Sequence, residues 1–303
     1  MSIKKVATRP TVYPHIGICL IALTSILGQT VRFMPSLPLE KIIMIKRLLP
    51  TLLCMLPLAV SAQTSPDTLD QITESKTLRV CTPGDYKPFS FDKDGHFEGL
   101  DIDLMQALAK TVDAKVSIVK TSWANLMADF TSGKCDIGVG GISVSVDRQK
   151  QAFFSIPYMI NGKTPIVRCE DKDKYQTIEA LNQPQVRIVA NPGGSNEKFA
   201  RTMLPQATLT MHKDNLTIFD EVAQGKADAF VTEAAEARVQ SKLNPKLCAV
   251  NPDKPLQYAE MGYLLPQNDM RFKLYVDQWM HLLQASGQYA QLADKWIPAD
   301  PEK

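Results

Sequence analysis

The chain has 303 residues, of which 45% are hydrophobic and 22% are charged, and its formal net charge is +2. Residues 1–62 hold seven of the basic residues and one acid, so the remainder has 27 basic and 31 acidic residues and a net charge of −4. Such a composition is typical of a globular chain that can bury a large core. A mildly acidic surface offers phosphate no attractive field, which argues against nucleic acid as a partner.

The first 62 residues have the pattern of a leader. A charged start at 44–47, an apolar run at 48–60 and a small-residue motif ending at Ala62 are typical of a secretory signal peptide. We therefore interpret residues 44–62 as a signal peptide cleaved near Ala62, the residues before it as an over-extended translation start, and the mature protein as periplasmic. An upstream apolar stretch at 16–27 is shorter than the roughly 20 residues of a membrane span, so a membrane-anchored form is the less favoured alternative.

Beyond the leader, apolar periodicity and turn residues predict alternating helices and strands. In chain order these are a helix at 69–75, a strand at 78–81, a turn at 92–95, a helix at 100–112, a strand at 115–119, a helix at 123–132 and a strand at 136–140. Strands that alternate with helices predict a mostly parallel sheet with both faces covered.

The same alternation then repeats and returns. It predicts a strand at 187–190, a helix at 196–203, a strand at 208–211, a helix at 216–224, strands at 227–232 and 258–265, and closing helices at 269–286 and 289–296. A chain that leaves one α/β unit, builds a second and comes back predicts an α/β fold with two lobes and a cleft between them. We place the crossings near 164–169 and 250–257, which assigns 68–165 and 256–300 to the first lobe and 166–255 to the second.

Four of the six cysteines lie beyond the leader, in a compartment that permits disulfides. Cys169 and Cys248 stand at the two edges of one segment, and we favour their pairing. The sequence leaves the state of Cys81 and Cys135 open. No Cys-x-x-Cys occurs and the histidines lack ligand spacing, so a metal site is not expected.

Ligands of open α/β sheets bind beyond the carboxyl ends of the strands, so we expect the cleft to be lined there. One such end carries Gly141 and Ser143, followed closely by Arg148. Backbone amides beside a glycine, together with an arginine fork, form a receptor for a carboxylate. The alternative is a solvated charge cluster of Arg148 with Asp147 at a helix start, and spacing alone does not separate the two.

A second candidate receptor lies where a strand passes into a helix through Asn191, Gly194, Ser195 and Asn196. The unpaired amides of a helix start attract an anion. Ser195 either donates to that anion or only caps the helix, and capping is the commoner use of serine. Two anion receptors, one in each lobe, suit a small ligand with two carboxylates.

Glu233 and Glu236 come directly after an apolar strand and lie three residues apart, on one face if a helix begins there. Proximity and partial burial would raise the pKa of the carboxyl groups, and a carboxyl that is protonated near neutral pH can act as a general acid. The alternative, which spacing alone favours, is two solvated acids in a first helical turn. Tyr86 and Trp123 follow turn residues and are candidates to contact a ring.

Eight short segments carry a resemblance to a known family: 84–90, 121–127, 141–143, 147–148, 154–158, 162–165, 191–201 and 236–238. On these segments, residues 68–298 resemble the polar amino-acid family of periplasmic solute-binding proteins, and within it the cyclohexadienyl dehydratases. The resemblance implies the two-lobed type II fold of periplasmic binding proteins. It also implies conversion of prephenate to phenylpyruvate and of arogenate to phenylalanine, without a cofactor.

The resemblance further implies a role for each matching residue. These are a proton donor at Glu236, orienting groups at Asn191 and Lys163, carboxylate contacts at Arg148, Ser143 and Ser195, and ring contacts at Tyr86 and Trp123. Glu233 departs from the shorter Asp that the family usually has there, which bears on how the amino group of arogenate is bound. The implied partner is a small dicarboxylate, with no nucleic acid and no stable membrane anchor, and a homo-oligomer is left open.

The competing hypothesis is a non-catalytic receptor that delivers an amino acid to an ABC transporter. In it, Glu233 would pair with the α-ammonium group and Arg148 with the α-carboxylate of the ligand. Because one fold serves both activities, turnover of prephenate is the observation that separates the hypotheses.

Overall fold

The computed structural model describes residues 67–297, so the predicted leader lies outside the described residues. The first part of the chain forms α1 (Thr68–Ser75), β1 (Thr77–Thr82), β2 (Asp85–Tyr86), β3 (Ser90–Lys93), β4 (His96–Glu98), α2 (Leu100–Lys110), β5 (Lys115–Lys120), α3 (Leu126–Thr131), β6 (Ile137–Gly138), α4 (Val146–Gln149) and β7 (Phe153–Phe154). The expected alternation of helices and strands is confirmed. The helices in residues 67–297 lack the combination of length and apolar character that a bilayer span requires.

The middle of the chain forms β8 (Met159–Arg168), α5 (Ile178–Leu181), β9 (Arg187–Ala190), α6 (Ser195–Met203), β10 (Thr208–Met211), α7 (Ile218–Ala223), β11 (Ala229–Glu233), α8 (Ala234–Leu243), β12 (Leu247–Ala249) and β13 (Gln257–Met261). The described chain then ends with β14 (Leu264–Leu265), α9 (Met270–Ala285) and α10 (Gln288–Trp296).

Two sheets hold these elements together. The first has the order β5-β1-β6-β14-β7, and the second has the order β10-β9-β11-β8-β12, with β13 paired to β8. Parallel pairs in each sheet are bordered by antiparallel ones, because β14 and β8 run against their neighbours. Each sheet is therefore mixed, whereas the sequence predicted a mostly parallel one, and each packs its own apolar core against helices.

The crossings between the sheets differ in position from the expected ones. Thr164 pairs with Thr232 of β11, and Val167 pairs with Cys248 of β12, so the segment after Thr164 lies inside the second sheet. The chain has therefore entered this sheet before Thr164. It does so along the first half of β8, which pairs with β13 on the return path.

The expected strand at 258–265 is divided in two. Its first half is β13 in the second sheet and its last two residues are β14 in the first sheet. Between them, Tyr263 exchanges hydrogen bonds with Ser155, which turns the chain from one sheet into the other. Sequence periodicity does not detect this change of partner, because it does not show which strand each half pairs with.

A third, small sheet was not expected from the sequence. It consists of the short strands β2, β3 and β4 and places Tyr86 opposite Ser90. Strands of two to four residues carry too little alternation to be read as a period. The sheet matters because it carries Asp85 and Tyr86 to the mouth of the cleft.

The described residues contain two disulfides. Cys169 and Cys248, the pair favoured from sequence, are bonded and join the end of β8 to β12. Cys81 and Cys135, which the sequence left open, are also bonded, and they are buried in the core beneath α3. Each sheet is thus cross-linked once, and neither disulfide joins the two sheets.

Candidate active site

A cavity of about 10 Å³ lies between the two sheets. Its lining residues come from both lobes. They include eight of the residues predicted from sequence, namely Tyr86, Trp123, Gly141, Ser143, Asn191, Gly194, Ser195 and Asn196, together with Asn215. This volume is about that of one water molecule, so a ligand can enter this closed arrangement only when the lobes move apart.

Glu236 is positioned by the junction of β11 and α8. Glu233 ends the strand and stands at the N-cap of the helix, and Glu236 lies in the first helical turn. Its side chain is 0% exposed, so the alternative of a solvated acid is wrong for this residue. It lies behind the cavity lining, and the hydroxyl of Thr232 donates to its Oε2 over 2.5 Å.

Burial raises the pKa of the Glu236 carboxyl well above its ordinary value. The bond from Thr232 opposes that rise, Asp85 and Glu233 add to it by charge repulsion, and Lys163 works against it. The Oε1 atom has no hydrogen-bond partner among residues 67–297. Burial therefore favours the neutral form of the Glu236 carboxyl, which is the form that a general acid requires.

Glu233 is also buried, at 1% exposure, but it differs from Glu236 in having a cation beside it. Its Oε1 lies 2.8 Å from Nζ of Lys163 and accepts a hydrogen bond from Ser143 across the cleft at 2.8 Å. Lys163 also donates to Ser195 and Asn196. The solvated alternative is therefore wrong for Glu233 as well.

Ser195 does not cap the helix that it begins. The N-cap of α6 is Gly194, without a side-chain cap bond, and the Ser195 hydroxyl accepts from Lys163 at 2.9 Å and lies 3.3 Å from that of Ser143. The capping alternative is therefore wrong. Asn191, 3% exposed, accepts from the amide of Asn196 at 3.3 Å, so the strand-to-helix junction is a polar network aimed at the cleft.

The glycine turn of the first lobe differs from expectation. The amides of Gly140 and Gly141 both donate to Asp101 Oδ2 at 2.8 Å, in the interior of the lobe. They are therefore not free to receive a carboxylate, although Gly141 still lines the cavity. The sequence gives no sign of this arrangement, because Asp101 lies about 40 residues away in α2.

Arg148 lies beside the cavity of Tyr86 and Trp123, not on its lining. It is half-buried and donates to the carbonyl oxygen of Ser143 at 2.9 Å. It lines an adjoining, wider opening, whose lining also includes the buried side chains of Lys163 and Glu233. Burial lowers the pKa of the guanidinium, and the charge of Glu233 opposes that effect. The alternative interpretation placed Asp147 in a charge cluster with Arg148, but Asp147 pairs with Lys150 and Lys198.

The aromatic wall is held by a carboxylate. Tyr86 and Trp123 meet edge to face with ring centroids 5.6 Å apart, and Nε1 of Trp123 donates to Asp85 Oδ1 at 2.9 Å. Burial raises the pKa of Asp85 to about 6, with Asp214 adding to the rise. The backbone oxygen of Asp85 also accepts from Asn215 of the second lobe.

A family model described as bacterial extracellular solute-binding proteins, family 3, matches residues 78–299. The chain belongs to this family. Its fold is accordingly the type II fold of the solute-binding proteins, with two α/β lobes and two crossings. Within residues 67–297, no group of three or more His, Cys, Asp or Glu side chains is arranged to hold a metal ion.

Among curated members of this family, the cyclohexadienyl dehydratase of Pseudomonas aeruginosa is 48% identical over 254 residues, which covers 83% of this chain and 94% of that protein. The L-cystine-binding protein TcyJ of Escherichia coli is 26% identical and covers 78% and 88%, respectively. Among solved structures, the ancestral amino acid-binding protein AncCDT-1, a precursor of cyclohexadienyl dehydratase, has a TM-score of 0.71 and 36% identity, covering 76% of this chain and 99% of that one.

A solved variant of an ancestral cyclohexadienyl dehydratase, AncCDT-3, is 47% identical to this solute-binding protein with a TM-score of 0.50, covering 78% of this chain and 98% of that one. Sequence similarity is therefore higher to the ancestral dehydratase than to the ancestral receptor.

Sequence reasoning missed Asp101, Asn215 and Thr232, and it placed Asp85 at a strand end lining the cleft without giving it a role. Asp85 and Asn215 bridge the lobes, Asp101 holds the glycine turn, and Thr232 bonds the candidate acid. Only Thr232 had a local signal, because it is a polar residue one position before Glu233 in an otherwise apolar strand.

Proposed function

We propose that this protein is a cyclohexadienyl dehydratase that converts prephenate to phenylpyruvate and arogenate to phenylalanine, with Glu236 as general acid. The observation that carries the proposal is the fully buried Glu236 carboxyl with a raised pKa and an unpaired Oε1. The 48% identity to a dehydratase over most of both chains supports the same reaction. A receptor that only binds an amino acid does not require a proton donor at this position.

The proposed reaction needs one proton and no change of oxidation state. Glu236 donates its proton to the ring hydroxyl, the carbon–oxygen bond breaks and water leaves. The electrons of the bond to the ring carboxylate move into the ring, which becomes aromatic as carbon dioxide departs. Because aromatisation drives the step, positioning of the substrate and one general acid can suffice.

Holding the substrate falls to the groups around the cavity. Two substrate carboxylates would be bound by Arg148 and the hydroxyls of Ser143 and Ser195, with Gly141, Gly194 and Asn196 alongside. Lys163 and Asn191 orient the substrate from the polar network of α6, and Tyr86 and Trp123 contact its ring. Closure of the lobes excludes water, which keeps the acid neutral until transfer.

The test is Glu236→Gln, which keeps the shape of the side chain and removes the proton donor. With prephenate as substrate and phenylpyruvate followed by its ultraviolet absorbance, we expect kcat to fall by about 10²–10⁴. Glu221→Gln is the matched control, since Glu221 lies in α7 away from the cleft and pairs with Lys226. Full turnover in a folded Glu236→Gln protein would reject Glu236 as the acid.

The second candidate function is an amino-acid receptor, and one observation favours it. Glu233 Oε2 has no partner among residues 67–297 and is buried beside the opening that Arg148 lines. An α-ammonium group could bind there and an α-carboxylate at Arg148. Calorimetry with a panel of amino acids, run beside the prephenate assay, separates the two functions: tight binding without turnover would establish the receptor.

We also propose that the protein acts in the periplasm after export, with cleavage near Ala62. We propose that the hinge lies where β8 and β13 pair, so that the lobe boundaries expected at 165/166 and 255/256 shift to the start of β8 and the end of β13. N-terminal sequencing of protein recovered from the periplasm should begin at Gln63. A start within residues 1–43 would contradict the proposed leader.

A further inference from the structure

Four buried side chains form a continuous hydrogen-bond chain that ends on Glu236. Lys163 donates to Asn196 Oδ1 at 2.5 Å, and the Asn196 amide donates to the Thr232 hydroxyl at 3.2 Å. The Thr232 hydroxyl donates to Glu236 Oε2 at 2.5 Å. All four residues are at most 7% exposed, so water does not compete with these bonds.

The direction of the bonds that Asn196 makes is fixed by Lys163. An ammonium group can only donate, so the oxygen of the Asn196 amide must face Lys163. The NH₂ group then faces Thr232 and the Oδ1 of Asn191, and it donates to both. The Thr232 oxygen accepts from Asn196, and its hydroxyl donates to Glu236 Oε2.

This direction distinguishes the two oxygens of the Glu236 carboxyl. Oε2 receives a donor, so it acts as the carbonyl oxygen, whereas Oε1 has no partner among the described residues. We propose that Thr232 is a positioning residue for the dehydratase reaction, which holds the transferable proton of Glu236 on Oε1 and fixes the rotation of the carboxyl. The inference rests on the proposed function and adds a residue that acts through Glu236 without contacting substrate.

The test compares Thr232→Val, which keeps the shape and removes the hydroxyl, with Thr232→Ser, which keeps the hydroxyl. In Thr232→Val we expect kcat for prephenate to fall roughly tenfold, as for loss of one hydrogen bond, with KM changed less than twofold. Thr232→Ser should recover most of kcat. Thr164→Val is the matched control, because Thr164 is the paired residue on β8, is equally buried, and does not bond Glu236.

The pH profile gives a readout that a purely structural role would not move. The bond from Thr232 lowers the pKa of Glu236 against the effect of burial, so its loss should shift the basic limb of kcat to higher pH. Asp85, Glu233 and Lys163 are the charged groups that also act on Glu236, and none changes in this variant. A fall in kcat without a shift of that limb would overturn the inference.

A measurement without turnover separates this inference from the proposed function. The infrared carbonyl band of the protonated carboxyl, assigned by its loss in Glu236→Gln, should move to higher wavenumber in Thr232→Val because Oε2 loses its donor. If wild-type protein leaves prephenate unchanged and the band still shifts, the dehydratase function fails and the placement of the proton stands. If wild-type protein is active and Thr232→Val changes neither the band nor the pH limb, the function stands and the inference fails.

Discussion

Asp101 is a buried acid that holds the glycine turn of the first lobe, and its ionisation should make the stability of the protein depend on pH. Its Oδ2 accepts from the amides of Gly140 and Gly141 and from the Tyr158 hydroxyl, and its Oδ1 from Tyr263 at 3.4 Å. Burial raises its pKa from 3.8 to about 6, although each of these bonds lowers it. The native state therefore holds the Asp101 proton more tightly than the unfolded chain does.

The sign of the effect follows from that difference. The contribution of this group to the free energy of unfolding is fully present below about pH 4 and is lost as pH rises through about 6. A rise in pKa from 3.8 to about 6 corresponds to about 3 kcal/mol. Asp101→Asn keeps an oxygen for the two amides and cannot ionise. From pH 4 to pH 8, the free energy of unfolding of Asp101→Asn relative to that of the wild type should therefore rise by about 3 kcal/mol.

Urea unfolding of both proteins across pH 4 to 8, followed by tryptophan fluorescence and circular dichroism, measures this change. Asp294→Asn serves as the control, because Asp294 is exposed on α10. Asp101→Ala should be destabilised at every pH, since it leaves two buried amides unpaired at about 1–3 kcal/mol each. A difference between Asp101→Asn and wild type that stays constant with pH would refute the reasoning.

Two further changes test the geometry of the cleft. Asp85→Ala removes the acceptor that holds the Trp123 indole, so KM for prephenate should rise about tenfold and tryptophan emission should change. Asp85→Asn should restore both the KM and the emission. The control is Asp103→Ala, which removes a carboxylate–indole bond outside the cleft and should leave KM unchanged. Gly193→Ala places a Cβ 2.5 Å from the Ala124 backbone of the other lobe at a φ of +85°, so small-angle scattering should report a more open protein and KM should rise. If Gly193→Ala changes neither the radius of gyration nor KM, the lobes do not close at Gly193.

Much of the fold could be predicted from the sequence, because its elements are set by local periodicity. The helix at 100–112 and the strand at 187–190 match the observed elements to within about two residues. The Cys169–Cys248 disulfide follows from the two strands that carry it. Residues at strand ends meet in the cleft, as the topology of an α/β sheet requires.

What sequence reasoning missed depends on which partner a polar group finds in three dimensions. The Gly141 amide was expected to face a ligand, but Asp101 captures it from a helix distant in sequence. Arg148 was expected to bind a substrate carboxylate in the cleft, and it lines the wider opening beside the cavity of Tyr86 and Trp123. The capping role considered for Ser195 was wrong for the same reason, since Lys163 of β8 donates to its hydroxyl. Spacing along the chain identifies the candidates and does not assign their partners.

The two carboxyl groups at the junction of β11 and α8 differ in their surroundings. Glu233 and Glu236 are both buried and lie three residues apart, but only Glu233 lies within ion-pair distance of Lys163. Burial of a carboxylate without a cation beside it is costly, so the surroundings of Glu236 favour its neutral form. The position of one lysine therefore distinguishes a carboxylate held in an ion pair from a carboxyl group suited to donate a proton.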